Sequence, residues 1–127
     1  MKFFFDNNIG KNVSDGLKAF GEDTIHLKEK YDPATEDQIW LAEIGQAGWF
    51  LITKDNRIRG KNHELQKIRE HKVGAFFLTS KDMGKWDIIR TLVLNWDRIK
   101  ELAQKTNRPF FYSIRKNSNK IEPLRIT

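Results

Sequence analysis

The sequence has 127 residues, which is the length of one domain, and we expect a single domain over 1–127. Its hydrophobic fraction of 39% and aromatic fraction of 12% favour a folded chain over a disordered one. The absence of cysteine excludes disulfides, thiol catalysis and Cys-ligated zinc. No apolar run approaches the roughly 18 residues of a membrane span. No signal-peptide pattern precedes the first apolar run. We therefore expect no membrane partner and a cytoplasmic location.

The net charge of +6 is unevenly distributed along the chain. Residues 1–53 carry 5 Lys and 9 Asp or Glu, a net charge of −4, whereas residues 54–127 carry 18 Lys or Arg and 8 Asp or Glu, a net charge of +10. A strongly basic half is typical of proteins that bind a polyanion such as a nucleic acid. A merely soluble basic surface would give the same composition, so charge alone leaves both interpretations open.

Two short apolar runs each end close to an aspartate. Residues 2–5 (KFFF) precede Asp6, and residues 49–53 (WFLIT) precede Lys54 and Asp55. Apolar runs closed by polar clusters are typical of buried parallel strands. Ligands of open α/β sheets bind at the carboxyl ends of such strands. We predict that these two strands are neighbours and that Asp6 and Asp55 converge at one edge of the sheet.

The other elements alternate between helical and extended patterns. Their predicted positions, in chain order, are a helix at 13–20, a strand at 24–27, a helix with Thr35 as its N-cap that ends near Gly48, a helix at 63–71, a strand at 74–79, a helix at 85–105, a strand at 109–114 and an edge strand near 121–126. This alternation indicates βαβ units, hence an α/β fold with a mostly parallel central sheet and helices on both faces.

Aromatic residues provide most of the large apolar side chains. We interpret Trp40, Trp86 and Trp96 as core, and we expect the helix at 85–105 to bury Trp86, Val93 and Trp96 on one side. The aromatic segment 110–112 could stack bases, but core or a partner surface is the favoured interpretation. Exposed aromatics near the C-terminus make a homodimer a further expectation.

A third aspartate belongs with the two that follow strands. Asp37 begins the helix that leads into the third strand, and the N-terminus of such a crossover helix faces the carboxyl edge of the sheet. Carboxylates gathered there repel each other unless a hard cation such as Mg²⁺ or Mn²⁺ lies among them. Such an ion activates water and polarises phosphoryl groups, which suits phosphodiester hydrolysis. The alternatives are that Asp37 only complements the helix dipole and that Asp6 and Asp55 only form turns.

A basic loop surrounds and follows the third strand. Lys54, Arg57, Arg59 and Lys61 are candidates for positioning nucleic-acid phosphates beside the metal site, and the alternative is an ordinary solvated loop. The three histidines, at 26, 63 and 71, are scattered, and we interpret them as structural or surface residues.

The ordered set of motifs resembles a known family. The segments FFFDNNIG at 3–10, Asp37-x-x-Trp40, GWFLITKDNRIR at 48–59, GAFFLT at 74–79 and PFFYSIR at 109–115 together resemble PIN-like domains, and among these the compact branch of VapC-type toxins.

This resemblance implies a three-layer PIN-like fold and a Mg²⁺- or Mn²⁺-dependent endoribonuclease, the toxin of a toxin–antitoxin pair, held in check by a separate antitoxin protein. It implies that Asp6, Asp37 and Asp55 are the metal-binding and catalytic acids. Residues that match flanking or supporting positions are Asn7, Thr53, Arg59 and Thr79. Fuller PIN domains carry a further acid or hydroxyl after the fourth strand, where this chain offers only Thr79, Ser80 and Asp82.

Two other functions remain open at this point. The reduced acid set is also typical of a PIN-like module that has lost catalysis and binds RNA or a protein partner. A phosphatase-like hydrolase is less favoured, because its nucleophilic aspartate is followed two residues later by a second acid, and Asn8 occupies that position after Asp6.

Overall fold

The computed structural model describes residues 1–55 and 62–124, without the side chains of 62–64. Its elements, in chain order, are β1 (Phe3–Phe5), α1 (Lys11–Ala19), β2 (Thr24–His26), α2 (Leu27–Lys30), α3 (Asp37–Ala47), β3 (Phe50–Lys54), α4 (Asn62–Glu70), β4 (Gly74–Leu78), α5 (Lys85–Lys105), β5 (Phe110–Ile114) and β6 (Ile121–Pro123). Across these residues no helix is both long enough and apolar enough to cross a lipid bilayer.

The strands form one sheet in the order β2-β1-β3-β4-β5-β6. All pairings are parallel except that of β6, which runs antiparallel to β5 at the edge, with Pro123 opposite Tyr112. The predicted adjacency of the first and third strands is confirmed, with Phe5 opposite Ile52. The chain therefore has the expected three-layer α/β fold with a mostly parallel sheet.

Each face of the sheet carries its own apolar core. On the first face, which we call the α1/α5 face, Phe3 and Phe5 pack with α1 and α5. On the second, the α3/α4 face, Phe4 and Leu51 pack with α3 and α4. Successive strand residues point to opposite faces. Because both faces are covered, the central strands read as continuous apolar runs rather than alternating ones.

The N-cap predicted at Thr35 is wrong. The helix α3 begins one residue later, with Glu36 as N-cap and no side-chain cap. The backbone N–H of Thr35 instead donates to the carbonyl of Asp32 (2.9 Å), and the Asp32 carboxylate accepts from the N–H of Ala34 (2.8 Å). The turn that begins at Asp32 therefore uses Thr35 as its last residue.

The buried side predicted for α5 is partly wrong. Trp96 is buried, but Trp86 is 69% exposed and Val93 61% exposed. The true buried side includes two polar residues, Thr91 and Asn95. Their polar groups bond to the β5–β6 turn: Thr91 Oγ1 accepts from the N–H at 117 (2.8 Å), and Asn95 Nδ2 donates to the carbonyl at 118 (2.7 Å). The apolar pattern alone therefore predicts a buried side of α5 that is rotated about the helix axis from the observed one.

The other aromatic predictions are resolved by packing. Trp40 is buried, as predicted, beside the Phe4 ring (centroids 5.1 Å apart). In β5, Phe110 is buried, while Phe111 and Tyr112 are half-buried and stack on rings of β4. These rings therefore contribute to the core, and a homodimer stays a prediction.

Two helix-interior glycines offer a matched test of the packing. A Cβ at Gly45 would collide with the backbone carbonyl oxygen of His71, whereas one at Gly16 meets nothing within 4 Å. We expect Gly45→Ala to lower the free energy of unfolding by roughly 1–3 kcal/mol, the usual cost of overpacking. We expect Gly16→Ala to raise it by about 0.5–1 kcal/mol, because alanine is the better helix former. Urea denaturation measures both, and equal effects of the two substitutions would contradict the close approach of α3 to the turn after α4.

Candidate functional site

Strands β1 and β3 bring two side chains together at the carboxyl edge of the sheet. Since Phe5 lies opposite Ile52, the next residues, Asp6 and Thr53, lie side by side. The Thr53 hydroxyl donates a hydrogen bond of 2.6 Å to Asp6 Oδ2 across 47 residues of chain. Thr53 is buried and β-branched, so its rotamer is restricted and the hydroxyl is held in place. The carboxylate of Asp6 is thereby fixed in orientation.

The turn after β1 fixes the other oxygen of the same carboxylate. Asp6 Oδ1 accepts from the backbone N–H of Asn8 (3.0 Å), and the Asp6 carbonyl accepts from the N–H of Ile9 (3.2 Å). The Ile9 side chain is fully buried and anchors the turn, while Asn7 and Asn8 are exposed. Asn7 therefore lies beside the site with its side chain toward solvent.

His26 has a structural role, as predicted, and supports the turn that carries Asp6. Its ring is fully buried at the end of β2. Nδ1 accepts from the backbone N–H of Lys28 (3.1 Å), so Nε2 carries the proton and donates to the Ile9 carbonyl (2.7 Å). The ring thus ties the turn that carries Asp6 to the neighbouring strand. The available signal was its place at the end of β2, in register with Phe5.

The pleat of the sheet places the three aspartates on one side. Alternation from Phe4 puts Asp6 on the α3/α4 face, and alternation from Leu51 puts Thr53 and Asp55 there too. Asp37 is the first residue of α3, which packs on that face. The backbone N–H of Asp55 donates to the carbonyl of Leu78 (3.0 Å), which extends the β3–β4 pairing by one residue.

The electrostatics of Asp6 link it to the other two acids. Burial raises the pKa of this carboxyl from 3.8 to about 7, against the opposing effect of the hydrogen bonds from Thr53 and from the N–H of Asn8. The negative charges of Asp37 and Asp55 raise the pKa further. Both of these acids are therefore close enough to Asp6 for their charges to oppose its ionisation.

The donor chemistry of this environment fits a hard divalent ion, because every candidate ligand is a carboxylate oxygen. The side chains as they stand are not gathered around a common point. Among residues 1–55 and 62–124, no group of three or more His, Asp or Glu side chains is placed to hold a metal ion. Binding an ion would therefore require rotation of exposed carboxylates such as Asp37 toward Asp6.

The remaining predicted site residues are distributed differently. Lys54 lies on the opposite, α1/α5 face, where its ammonium donates to the carbonyl of Met83 (3.0 Å). Thr79 follows β4 and is half-buried. Its N–H donates to the carbonyl of Ile114 (3.2 Å), and the continued pleat places its side chain on the face of the acids. Three predicted RNA-binding residues lie outside the described residues: Arg57, Arg59 and Lys61.

Comparison with known families identifies the family of this chain. A family model described as "PIN like domain" matches residues 1–80, which is more than half of the chain. The chain therefore belongs to the PIN-like domain family, as the sequence motifs suggested. The matched region contains all three aspartates and ends just after β4. Comparisons with curated proteins and with solved structures gave no match.

The raised pKa of Asp6 predicts a pH-dependent stability cost. Between about pH 4 and 7 the unfolded chain has released the proton of Asp6 while the folded chain keeps it, so this group's contribution to the free energy of unfolding falls as pH rises. In the presence of a chelator, we expect Asp6→Asn to be more stable than the wild type at pH 7.5, by on the order of 1–2 kcal/mol.

Chemical denaturation at a series of pH values measures this difference. The gap between the two proteins should be small near pH 4, widen up to about pH 7 and then level off. A gap that is constant with pH would contradict the burial of an ionisable Asp6. Asp97→Asn, at an exposed position on α5, serves as the control for loss of a carboxylate outside the site.

Proposed function

We propose that the protein is a metal-dependent endoribonuclease that hydrolyses RNA phosphodiester bonds at a Mg²⁺ or Mn²⁺ site held by Asp6, Asp37 and Asp55. The observation that supports the proposal is that Asp6, Asp37 and Asp55 share the α3/α4 side of the sheet at its carboxyl edge, with Asp6 hydrogen-bonded to the Thr53 hydroxyl (2.6 Å). Negative charges on neighbouring acids at the carboxyl edge repel each other and lower the stability of the metal-free protein. A bound divalent cation would offset this repulsion. Membership of the PIN-like family, whose domains are commonly nucleases, supports the same conclusion.

Each residue has a distinct role in this proposal. Asp6 would hold the ion directly, with its orientation set by Thr53 and by the N–H of Asn8. Asp55 would hold it from the neighbouring strand, and Asp37 would either hold it or orient the attacking water. A bound ion would supply a water of lowered pKa and stabilise negative charge on the phosphoryl group.

RNA is the proposed substrate because the chain is basic beyond residue 53. The net charge of +10 there suits a polyanion, and Lys54, Arg57, Arg59 and Lys61 are the proposed phosphate contacts nearest to Asp55 in the sequence. Such contacts position the backbone of RNA without reading its sequence.

We further propose that this nuclease is the toxin of a type II toxin–antitoxin pair, in the cytoplasm, and that a cognate antitoxin protein blocks it. The resemblance of the strand-end motifs to the compact VapC-type branch supports this assignment. In that role the uninhibited nuclease would degrade cellular RNA and stop growth.

The second candidate is a PIN-like module without catalysis that binds RNA or a protein partner. It is favoured by one observation, namely that no three acids among residues 1–55 and 62–124 are already arranged around an ion position. The two candidates differ in whether a divalent ion binds in a manner that depends on Asp55.

Cleavage of RNA tests the enzymatic proposal. We expect the wild type to cleave single-stranded RNA in Mg²⁺ or Mn²⁺ and to be inactive in chelator. Asp6→Asn and Asp55→Asn should each reduce the rate at least about 100-fold, since even supporting residues of metal sites contribute 10–100-fold. A labelled oligonucleotide resolved on a denaturing gel provides the measurement.

The control for this experiment is Asp97→Asn, which removes an exposed carboxylate from α5, away from the proposed metal site. It should cleave as the wild type does. Equal activity of Asp6→Asn and the wild type would refute the site assignment. If no RNA is cleaved and calorimetry detects no Asp55-dependent binding of Mn²⁺, the non-catalytic module is the correct alternative.

Induced expression in a bacterial host tests the toxin role. We expect the wild type and Asp97→Asn to arrest growth and Asp55→Asn to leave it unaffected, because only the last lacks a metal ligand. Growth curves with matched protein levels provide the measurement. Normal growth with a wild-type protein that cleaves RNA in vitro would rule out the toxin role and leave the nuclease proposal intact.

A further inference from the structure

A groove lies between the N-terminal halves of α1 and α5. It has a volume of about 220 Å³ and is lined by Asn12, Val13, Gly16, Lys85, Trp86 and Ile89. Trp86 is 69% exposed at its wall, which is unusual for the largest apolar side chain. Helix packing does not account for this residue, because the buried side of α5 lies elsewhere.

The topology places this groove at the same edge of the sheet as the aspartates. Helix α1 follows β1 and α5 follows β4, so both helices begin at the carboxyl edge. Both pack on the α1/α5 face, whereas the aspartates lie on the α3/α4 face. The exposed turn at Asn7 and Asn8 joins β1 to α1 and lies between the two. A chain molecule that crosses the sheet edge could therefore reach both.

Cationic groups lie beside the groove. The ammonium of Lys54 donates to the carbonyl of Met83 (3.0 Å), and that of Lys116 donates to the carbonyl of Asp82 (3.0 Å). These adjacent carbonyls come just before α5, so one ammonium group from β3 and one from the turn after β5 are bonded close to the start of the helix that carries Lys85 and Trp86. Lys85 lines the groove itself and forms no ion pair with the residues that the structure describes.

We propose that this groove binds one unpaired base of a single-stranded RNA, stacked against Trp86, while Lys54 and Lys116 contact the adjoining backbone phosphate. The inference rests on the proposal that RNA is the ligand of this protein. It adds a subsite on the α1/α5 face, so that one strand of RNA extends from the aspartates across the sheet edge to Trp86. Aromatic stacking with nearby cations is how proteins hold single strands without reading their sequence.

The dimensions and chemistry of the groove favour a base over a segment of a protein. Its volume is below the roughly 300–1,000 Å³ of a drug-sized pocket, so it suits one flat group. A Cβ built at Gly16 would meet no atom within 4 Å, so there is open space beside α1 on the side of the groove opposite Trp86. The amide of Asn12 offers both a donor and an acceptor for the edge of a base. The surrounding ammonium groups complement a phosphate chain.

Binding of RNA without cleavage tests the proposal. Fluorescence anisotropy would follow a labelled single-stranded RNA and the same RNA with abasic positions, both in chelator. We expect Trp86→Ala to weaken binding of the normal RNA by about 5- to 150-fold, the range for loss of one stacked base, and Trp86→Phe to keep most of the affinity. Leu94→Ala, an exposed apolar residue of the same helix, is the matched control and should bind as the wild type does.

The abasic RNA separates stacking from a general loss of affinity. It should bind the wild type more weakly than normal RNA does, and Trp86→Ala should reduce or remove that difference. Equal binding by the wild type and Trp86→Ala, or absence of RNA binding by the wild type, overturns the subsite. Equal RNA binding together with a loss of self-association in sedimentation would show instead that Trp86 contacts protein.

These outcomes are independent of the nuclease proposal. Cleavage that depends on Asp55, with no effect of Trp86→Ala on binding, refutes the subsite and leaves the enzyme. Binding that depends on Trp86, with no cleavage under any metal tested, supports the subsite and favours the non-catalytic module.

Discussion

The pairing of β1 with β3 is the constraint on which the proposed site depends. It sets Asp6 beside Thr53 and allows a hydrogen bond across 47 residues of sequence. A shift of one residue in that register would move Thr53 to the opposite face, because strand side chains alternate. The register is held by continuous burial of both strands, with apolar cores on each side of the sheet. The polar site is therefore positioned by apolar packing.

The same pairing puts Asp6 where its ionisation lowers the stability of the metal-free protein. Asp6 lies at the buried end of a central strand, where desolvation and two neighbouring acids oppose its charge. Acids whose ionisation is opposed by burial and by neighbouring acids are often functional, because asparagine or threonine could fill a structural role with less loss of stability. The surrounding core offsets the cost, and the buried His26 holds the turn that presents the acid.

Several of these features followed from the sequence, and the reasons differ from one residue to another. The positions of Asp6 and Asp55 could be predicted because an apolar run closed by polar residues marks the end of a buried strand. The exposure of Trp86 could not be predicted, because α5 has apolar residues on two sides. Which side is buried depends on Thr91 and Asn95, whose hydrogen-bond partners lie in a turn distant in sequence.

The positions of two further residues also required the folded chain. Thr35 has the chemistry of a helix cap, but the turn beginning at Asp32 engages its backbone first. Lys54 is adjacent to Asp55 in sequence and lies on the other face of the sheet, as strand alternation requires. Proximity along the chain indicated a shared role, and the pleat separates the two side chains. The difference at Thr35 comes from turn geometry that a residue pattern does not encode, whereas the difference at Lys54 follows from the alternation of side chains along a strand.

The helix α5 has a consequence for where the fold can be divided. The region matched by the family ends at residue 80, and it contains every proposed ligand of the ion. The core beneath β1 nevertheless includes Leu92, Trp96 and Ile99 from α5, with Phe3 against the Trp96 ring (4.8 Å between centroids). A fragment that ends at residue 80 would keep the three proposed metal ligands and lose the α5 side chains from the apolar core of the α1/α5 face. The smallest fragment that can fold on its own is thus longer than the segment matched by the family model.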